Sequence, residues 1–248
     1  MPAVDQALAA GATAVAVGFA LSTWDRWLRR RRPHELVWSV SLVLFAVGAA
    51  ALWWSTARGW SPASFRVFYL AGAILNVPWL AAGTVYLLAG PVWGNRVRTW
   101  LIALSGLATG VLVAAPLRAP IAGNDLPEGK VVFGVWPRVL AAVGSGVSAL
   151  VIVVGALWSA WRVLRGRTPA LGRNPRHVEL PKRLAVGNVV IAVGTLVLSA
   201  SGTLAGRLGK DRAFSVTLLT GIAVLFIGFL VASTAGARAR VTRLARAA

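Results

Sequence analysis

Long uncharged apolar stretches alternate with short charged ones along this chain. Windows of roughly 18 or more apolar residues are long enough to cross a bilayer. Backbone polar groups in the bilayer core must be bonded within their own segment, so the windows predict helices. The predicted fold is an all-α integral membrane bundle in which residues 1–248 form one domain. We expect seven transmembrane helices, at residues 7–24, 36–57, 67–92, 99–117, 139–161, 184–205 and 213–236.

The distribution of basic residues predicts how the bundle is threaded. Most of the 26 Lys and Arg residues fall after the first, third and fifth predicted helices and in the C-terminal tail. Loops rich in Lys and Arg face the cytoplasm, so we expect the C-terminus inside and the N-terminus outside. All tryptophans except Trp79 lie at or near predicted helix ends, where an interfacial belt is expected. The pattern predicts a multi-pass protein of the cell membrane, and the Ala, Gly, Val and Arg bias is typical of a bacterial inner-membrane protein.

The net charge of +19 does not indicate a nucleic-acid partner. The basic residues sit in short loops between apolar segments, where they set membrane orientation. Clustered arginines on the cytoplasmic side attract anionic lipid headgroups. We therefore expect the bilayer itself to be the partner, with headgroup contacts at Arg29, Arg30, Arg31 and Arg32.

Ionisable residues are absent from all seven predicted helices, which argues against several activities. Proton relays and ion sites in membranes depend on such residues. The chain has no cysteine, and His34 and His177 fall in predicted cytoplasmic loops. We therefore expect no metal, no cofactor, no catalytic residue and no enzymatic activity. The alternative, an enzyme acting on lipids, would depend on Asp25, His34 and Glu35 at the cytoplasmic side.

The third predicted helix carries an irregularity at its centre, Asn76-Val77-Pro78-Trp79. Proline removes a backbone donor and frees a carbonyl one turn earlier. The result is either a stable kink or a broken helix that lines a polar cavity. A related pattern starts at Asn188, and inverted repeats of this kind place transporter sites near the membrane midplane. The predicted solute-binding residues are Asn76, Pro78, Trp79, Thr84, Asn188 and Thr195.

The outer side has one long loop, residues 118–138. Its apolar part, residues 131–136, either lies on the membrane or folds over the mouth of the bundle as a short hairpin. Arg66, Arg118 and Arg138 could form a charged outer mouth that attracts anions.

These features favour a small permease or solute-binding membrane protein. The alternative is an accessory or assembly subunit of a larger membrane complex, since neither long loop is large enough to be a domain. A membrane-protein partner or a second copy of the chain would then complete the functional unit.

Overall fold

A computed structural model describes residues 2–121, 123–165, 179–204 and 214–231. Helices account for nearly all of these residues, and the described part of the chain contains no β-strand. The helices are α1 (Pro2–Arg30), α2 (Pro33–Arg58), α3 (Pro62–Phe68), a π-helical segment (Tyr69–Leu75), α4 (Asn76–Ala114), α5 (Gly129–Val132), α6 (Val135–Leu164), α7 (Glu179–Leu204) and α8 (Phe214–Val231).

The predicted all-α membrane bundle is confirmed. By length and composition, 5 of the described helical segments could cross a membrane: Val4–Arg30, Pro33–Arg58, Pro62–Ala114, Val135–Arg162 and Phe214–Val231. Helix α7 has a shorter apolar stretch, Ala185–Leu198. The number of crossings and the orientation stay predictions. Residues 205, 213 and 232–236 of the last two predicted helices, most of the basic inner loop and the C-terminal tail lie outside the described residues.

The segment Pro62–Ala114 is too long for one crossing, and it turns back on itself at Gly90. Its 53 residues would measure about 80 Å as a straight helix, against a bilayer core of about 30 Å. Trp79 Nε1 nevertheless donates a hydrogen bond to Ser105 Oγ at 3.1 Å. The two limbs of α4, before and after Gly90, are therefore antiparallel neighbours, in agreement with separate third and fourth crossings.

This turn lies earlier in the chain than predicted. A connection was expected at residues 93–98, but these residues are helical and the reversal is at Gly90, with φ 82° and ψ 179°. Glycine adopts this conformation without a steric penalty, and Pro91 then supplies the fixed φ that suits a first helical residue. The absence of charge before Arg96 hid this turn within an apolar window.

The helices pack in a closed order around the core. Contacts run from α1 to α2, to α4, to α6 and to α7. Gly194 of α7 packs against Leu225 of α8. Phe19 of α1 contacts Phe226 and Phe229 of α8, with ring centroids 4.7 and 5.0 Å apart. Helix α8 therefore returns to α1 and closes the ring.

The outer loop packs against one end of the bundle through Phe133. Leu117 and Phe133 form an antiparallel bridge. Phe133 is fully buried, and its ring lies 5.3 Å from Phe65 and 4.9 Å from Tyr69. Phe133 therefore anchors the loop to the aromatic ends of α3 and the π segment, but Gly129–Val132 is a helical turn rather than part of the predicted hairpin, and Val131, Val135 and Trp136 are exposed.

Candidate functional site

The predicted irregularity at Asn76 is a change of helix type. Residues Tyr69–Leu75 are π-helical, and the backbone N–H of Asn76 donates a hydrogen bond to the carbonyl of Ala71. A π-helix accommodates an extra residue, and such bulges are frequent at functional sites. The chain then continues as α-helix through Pro78, which is buried as its third residue. The third crossing therefore continues through Pro78 as a helix and is not broken there.

Neighbouring helices bond the polar groups that this irregularity exposes. Ser41 Oγ of α2 lies 2.9 Å from both the main-chain and the side-chain oxygen of Asn76. Ser145 Oγ of α6 donates to the carbonyl of Ala73. Gly144 comes so close that a methyl group there would lie 3.3 Å from the Ile74 carbonyl oxygen. The region joins three helices through interhelical hydrogen bonds, which in membranes contribute about 0.6 to 2 kcal/mol each.

The other predicted solute-binding residues lie in different interfaces. Trp79 bonds Ser105 across the α4 hairpin. Thr84 faces Gly155 of α6. Thr195 of α7 is buried and donates to Ile191 of its own helix at 2.9 Å. Asn188 is helical in α7, but its side chain lies outside the described residues.

The three predicted outer-mouth arginines lie around the folded outer loop. Arg66 donates to the carbonyl of Ala115 at 2.9 Å and is partly buried. Arg118 packs beside Gly134, and Arg138 is exposed on α6. Glu128 pairs with Lys130 at 2.8 Å. Arg66 therefore links α3 to the C-terminal end of α4, while an anion-attracting role for all three arginines stays a prediction.

The arginines predicted to contact headgroups, Arg29 to Arg32, are all exposed. Arg29 pairs with Asp25 at 2.9 Å, so Asp25 is not part of a buried site. Arg31 lies over the ring of Trp27 at 4.9 Å, and Arg165 lies over Trp161 at 4.3 Å. Such pairs suit the membrane interface, where an indole ring is half in lipid and a guanidinium reaches the headgroups.

A buried charged cluster lies where α1 and α2 meet at their short connection. Arg26 Nε and Glu35 Oε2 are 3.9 Å apart, with side chains 15% and 5% exposed. His34 Nε2 lies 3.9 Å from Glu35 Oε1. We call Arg26, His34 and Glu35 the α1–α2 cluster. It differs from the predicted group by one residue, since Arg26 takes the place of Asp25.

Apolar and aromatic groups cover the α1–α2 cluster. The Arg26 guanidinium carbon lies 4.1 Å from the ring centroid of Phe229. The Trp38 ring contacts His34 at 5.3 Å and Phe229 at 5.2 Å, both edge to face. Arg26 donates to Ser22 Oγ at 3.1 Å. Removing a charged group from water costs several kcal/mol per ion, and opposite charges and hydrogen bonds are needed to offset that cost.

Hydrogen bonding in the cluster is incomplete within the described part of the chain. Arg26 Nε and Glu35 Oε2 are buried and form no hydrogen bond there. Their separation of 3.9 Å is too long for a direct hydrogen bond. The cluster can therefore supply one donor and one acceptor to a third group. Among the described residues, no three His, Asp or Glu side chains are grouped so as to hold a metal ion.

Comparison with known proteins gives one informative similarity. No protein-family model and no solved structure matches the chain. The chain is similar to protoheme IX farnesyltransferase of Acidiphilium cryptum (strain JF-5), with 27% identity over 175 residues. The match covers 66% of this chain and 48% of the relative, so the chain spans about half the length of the curated relative it matches. Together with its apolar helices, this similarity identifies a multi-pass cell-membrane protein.

The expectation of no enzymatic activity is wrong, because the similarity points to an enzyme. The expectation of a transporter is likewise not supported by it. The apolar windows themselves contain no Asp, Glu, Lys, Arg or His, whereas Arg26 and Glu35 lie between the first two windows. They come together only when α1 and α2 pack. The signal that could have found them is the pair of opposite charges flanking a short connection between two apolar helices.

Proposed function

We propose that the protein is a membrane-embedded enzyme that transfers an isoprenoid group between lipid-soluble substrates. The observation that carries this proposal is the similarity to protoheme IX farnesyltransferase over 175 residues. The multi-pass helical bundle supports it, because such a fold gives lipid-soluble substrates direct access to the protein.

The α1–α2 cluster provides the chemistry that this reaction needs. When an isoprenoid group is transferred from its diphosphate, the carbon–oxygen bond to the diphosphate breaks and diphosphate leaves, the acceptor forms the new bond to that carbon, and a base takes up the proton that the acceptor loses. Glu35 is a buried carboxylate beside Arg26 and His34, at an end of the bundle. In such a water-poor site, electrostatic interactions with a reacting group are stronger than in water. We therefore assign the acceptor to this end, with Glu35 as its base.

The test is an isoprenoid-transfer assay with the full chain reconstituted in lipid nanodiscs. The donor probe is radiolabelled farnesyl diphosphate, the acceptor probes are protoheme IX, apolar alcohols and quinols, and the product is separated by reversed-phase chromatography. We expect labelled product with the protein and none with empty nanodiscs. Replacing Glu35 by Gln should lower the rate at least tenfold, whereas replacing Asp25 by Asn should leave it unchanged, since Asp25 is an exposed carboxylate. Absence of transfer to protoheme IX and to a panel of apolar alcohols and quinols would refute the proposal.

A solute-binding or permease function remains the second candidate, located at Asn76. The observation that favours it is the π-helical segment at this position. Its polar groups are bonded to Ser41 and Ser145, which favours a structural role instead. Uptake or binding of a small neutral solute that is lost in Asn76→Ala would restore this candidate.

A role as an accessory subunit makes a separate prediction. The protein would then co-purify at fixed stoichiometry with a second membrane protein from native membranes. Native mass spectrometry distinguishes this from a lone protein or a homo-oligomer.

A further inference from the structure

The α1–α2 cluster holds a donor and an acceptor that face each other without a hydrogen bond. Arg26 Nε is a donor and Glu35 Oε2 is an acceptor, both buried, and neither forms a hydrogen bond within the described residues. Two hydrogen bonds of about 2.8 Å that share one oxygen span up to about 5.6 Å. The observed separation of 3.9 Å is within that reach, so one oxygen atom can bridge the two groups once the side chains that cover them move apart, because both atoms are closed to solvent in this structure.

The hydrogen-bonding roles of the two groups, one donor and one acceptor, restrict the chemical group to which that oxygen can belong. It must accept a hydrogen bond from Arg26 and donate one to Glu35, which is a carboxylate and accepts only when ionised. A hydroxyl group meets both demands. A fully ionised phosphate has no proton for Glu35, and an ammonium group has no lone pair for Arg26. A water molecule meets the same two demands, so the remaining atoms of the ligand must distinguish the alcohol from water.

The surroundings restrict the rest of the ligand. Phe229 and Trp38 cover the cluster, and Phe19, Leu42 and Phe45 continue the same apolar core toward the middle of the bundle. A ligand whose hydroxyl group reaches Arg26 and Glu35 therefore contacts aromatic and aliphatic side chains with its remaining atoms.

We propose that Arg26 and Glu35 bind the hydroxyl group of an apolar alcohol, which is the acceptor of the transfer reaction. This inference rests on the proposed function for the role of the alcohol, but the binding site itself is tested without any reaction. The isoprenoid alcohol farnesol serves as the probe, and its methyl ether serves as the matched control because the ether can accept a hydrogen bond but cannot donate one.

The experiment measures equilibrium binding of tritiated farnesol to the full chain in nanodiscs by scintillation proximity, with empty nanodiscs correcting for partition into lipid. Unlabelled farnesol, its methyl ether and farnesyl monophosphate compete. We expect farnesol to bind at least tenfold more tightly than the ether, as hydrogen bonds to charged groups imply. Equal affinity for the two, or tighter binding of the monophosphate, would overturn the proposal.

Variants locate the site. Glu35→Gln should weaken farnesol binding at least fivefold and leave the weak binding of the ether unchanged. Asp25→Asn makes the same chemical change at an exposed carboxylate on α1 and should alter neither affinity. Unchanged farnesol binding in a folded Glu35→Gln protein would place the site elsewhere. If that variant does not fold, Glu35→Asp takes its place, and it should likewise weaken farnesol binding and leave the binding of the ether unchanged.

The two proposals fail in different ways. Farnesol selectivity without isoprenoid transfer would establish the hydroxyl site and remove the enzyme. Isoprenoid transfer without farnesol selectivity would establish the enzyme and remove this site for its acceptor.

Discussion

Replacing Gly83 by alanine should destabilise the bundle, because Trp38 occupies the space beside it. A methyl carbon on Gly83 would overlap Nε1 and Cδ1 of the Trp38 indole and lie 2.8 Å from Cε2. The indole is held on several sides, since its Nε1 donates to the Leu80 carbonyl at 3.2 Å and its ring packs on Phe229. It must shift to admit the methyl group, and the shift weakens both contacts.

The size of the effect follows from these contacts. Overpacking costs about 1–3 kcal/mol, and a weakened interhelical hydrogen bond adds about 0.6–2 kcal/mol. The better helix propensity of alanine returns about 1 kcal/mol. We expect a net loss of about 1–4 kcal/mol in the free energy of unfolding. The measurement is reversible unfolding in mixed dodecylmaltoside and dodecylsulfate micelles, followed by far-ultraviolet circular dichroism.

Gly106 is the matched control on the same helix, α4. A methyl group there would meet no atom within 4 Å, so Gly106→Ala should be neutral or stabilising by up to about 1 kcal/mol. Replacing Trp38 by Phe should remove most of the penalty of Gly83→Ala. Equal stability of Gly83→Ala and Gly106→Ala would refute the packing assigned to Trp38.

Three further predictions test the hairpin and the charged cluster. Gly90→Ala should cost about 1–3 kcal/mol in the same unfolding assay, because Gly90 has φ 82°; unchanged stability would exclude this turn geometry. Cysteines replacing Trp79 and Ser105, in a chain with no native cysteine, should be joined by a short bifunctional reagent and give a faster-migrating band on gels, since a straight helix would hold them about 39 Å apart. Glu35→Leu alone should lose about 3–5 kcal/mol by leaving Arg26 buried and unpaired, whereas Arg26→Leu with Glu35→Leu should recover that loss; equal stability of the single and double variants would contradict a buried pair.

Most of the fold could be predicted from the sequence, because charges mark where apolar helices end. Helix α2 was expected at 36–57 and spans Pro33–Arg58, and α6 was expected at 139–161 and spans Val135–Leu164. The hairpin turn was misplaced because glycine and proline reverse the chain without any polar residue. A hydropathy pattern shows turns that contain charged residues but does not show a turn made by glycine and proline.

The candidate sites were less predictable, because their geometry depends on contacts between helices. Asn76 can be identified because Pro78 and Trp79 follow it closely in the sequence. Its partner Ser41 is 35 residues away, and nothing in the apolar sequence around Ser41 marks it as a partner. Ser145 bonds Ala73 from 72 residues away. Which polar groups remain for a ligand can be decided only after these partners are known.

Stability alone does not explain the buried ion pair of the α1–α2 cluster. A buried ion pair is often no more stabilising than apolar side chains of similar size, so stability alone gives little reason for Arg26 and Glu35 to face each other under Phe229. The pair also leaves one donor and one acceptor without hydrogen bonds among the described residues, which adds to its cost. A ligand hydroxyl would offset that cost only when bound. In the proposed complex, the free energy that these two unmade hydrogen bonds withhold from folding would be available for binding the ligand.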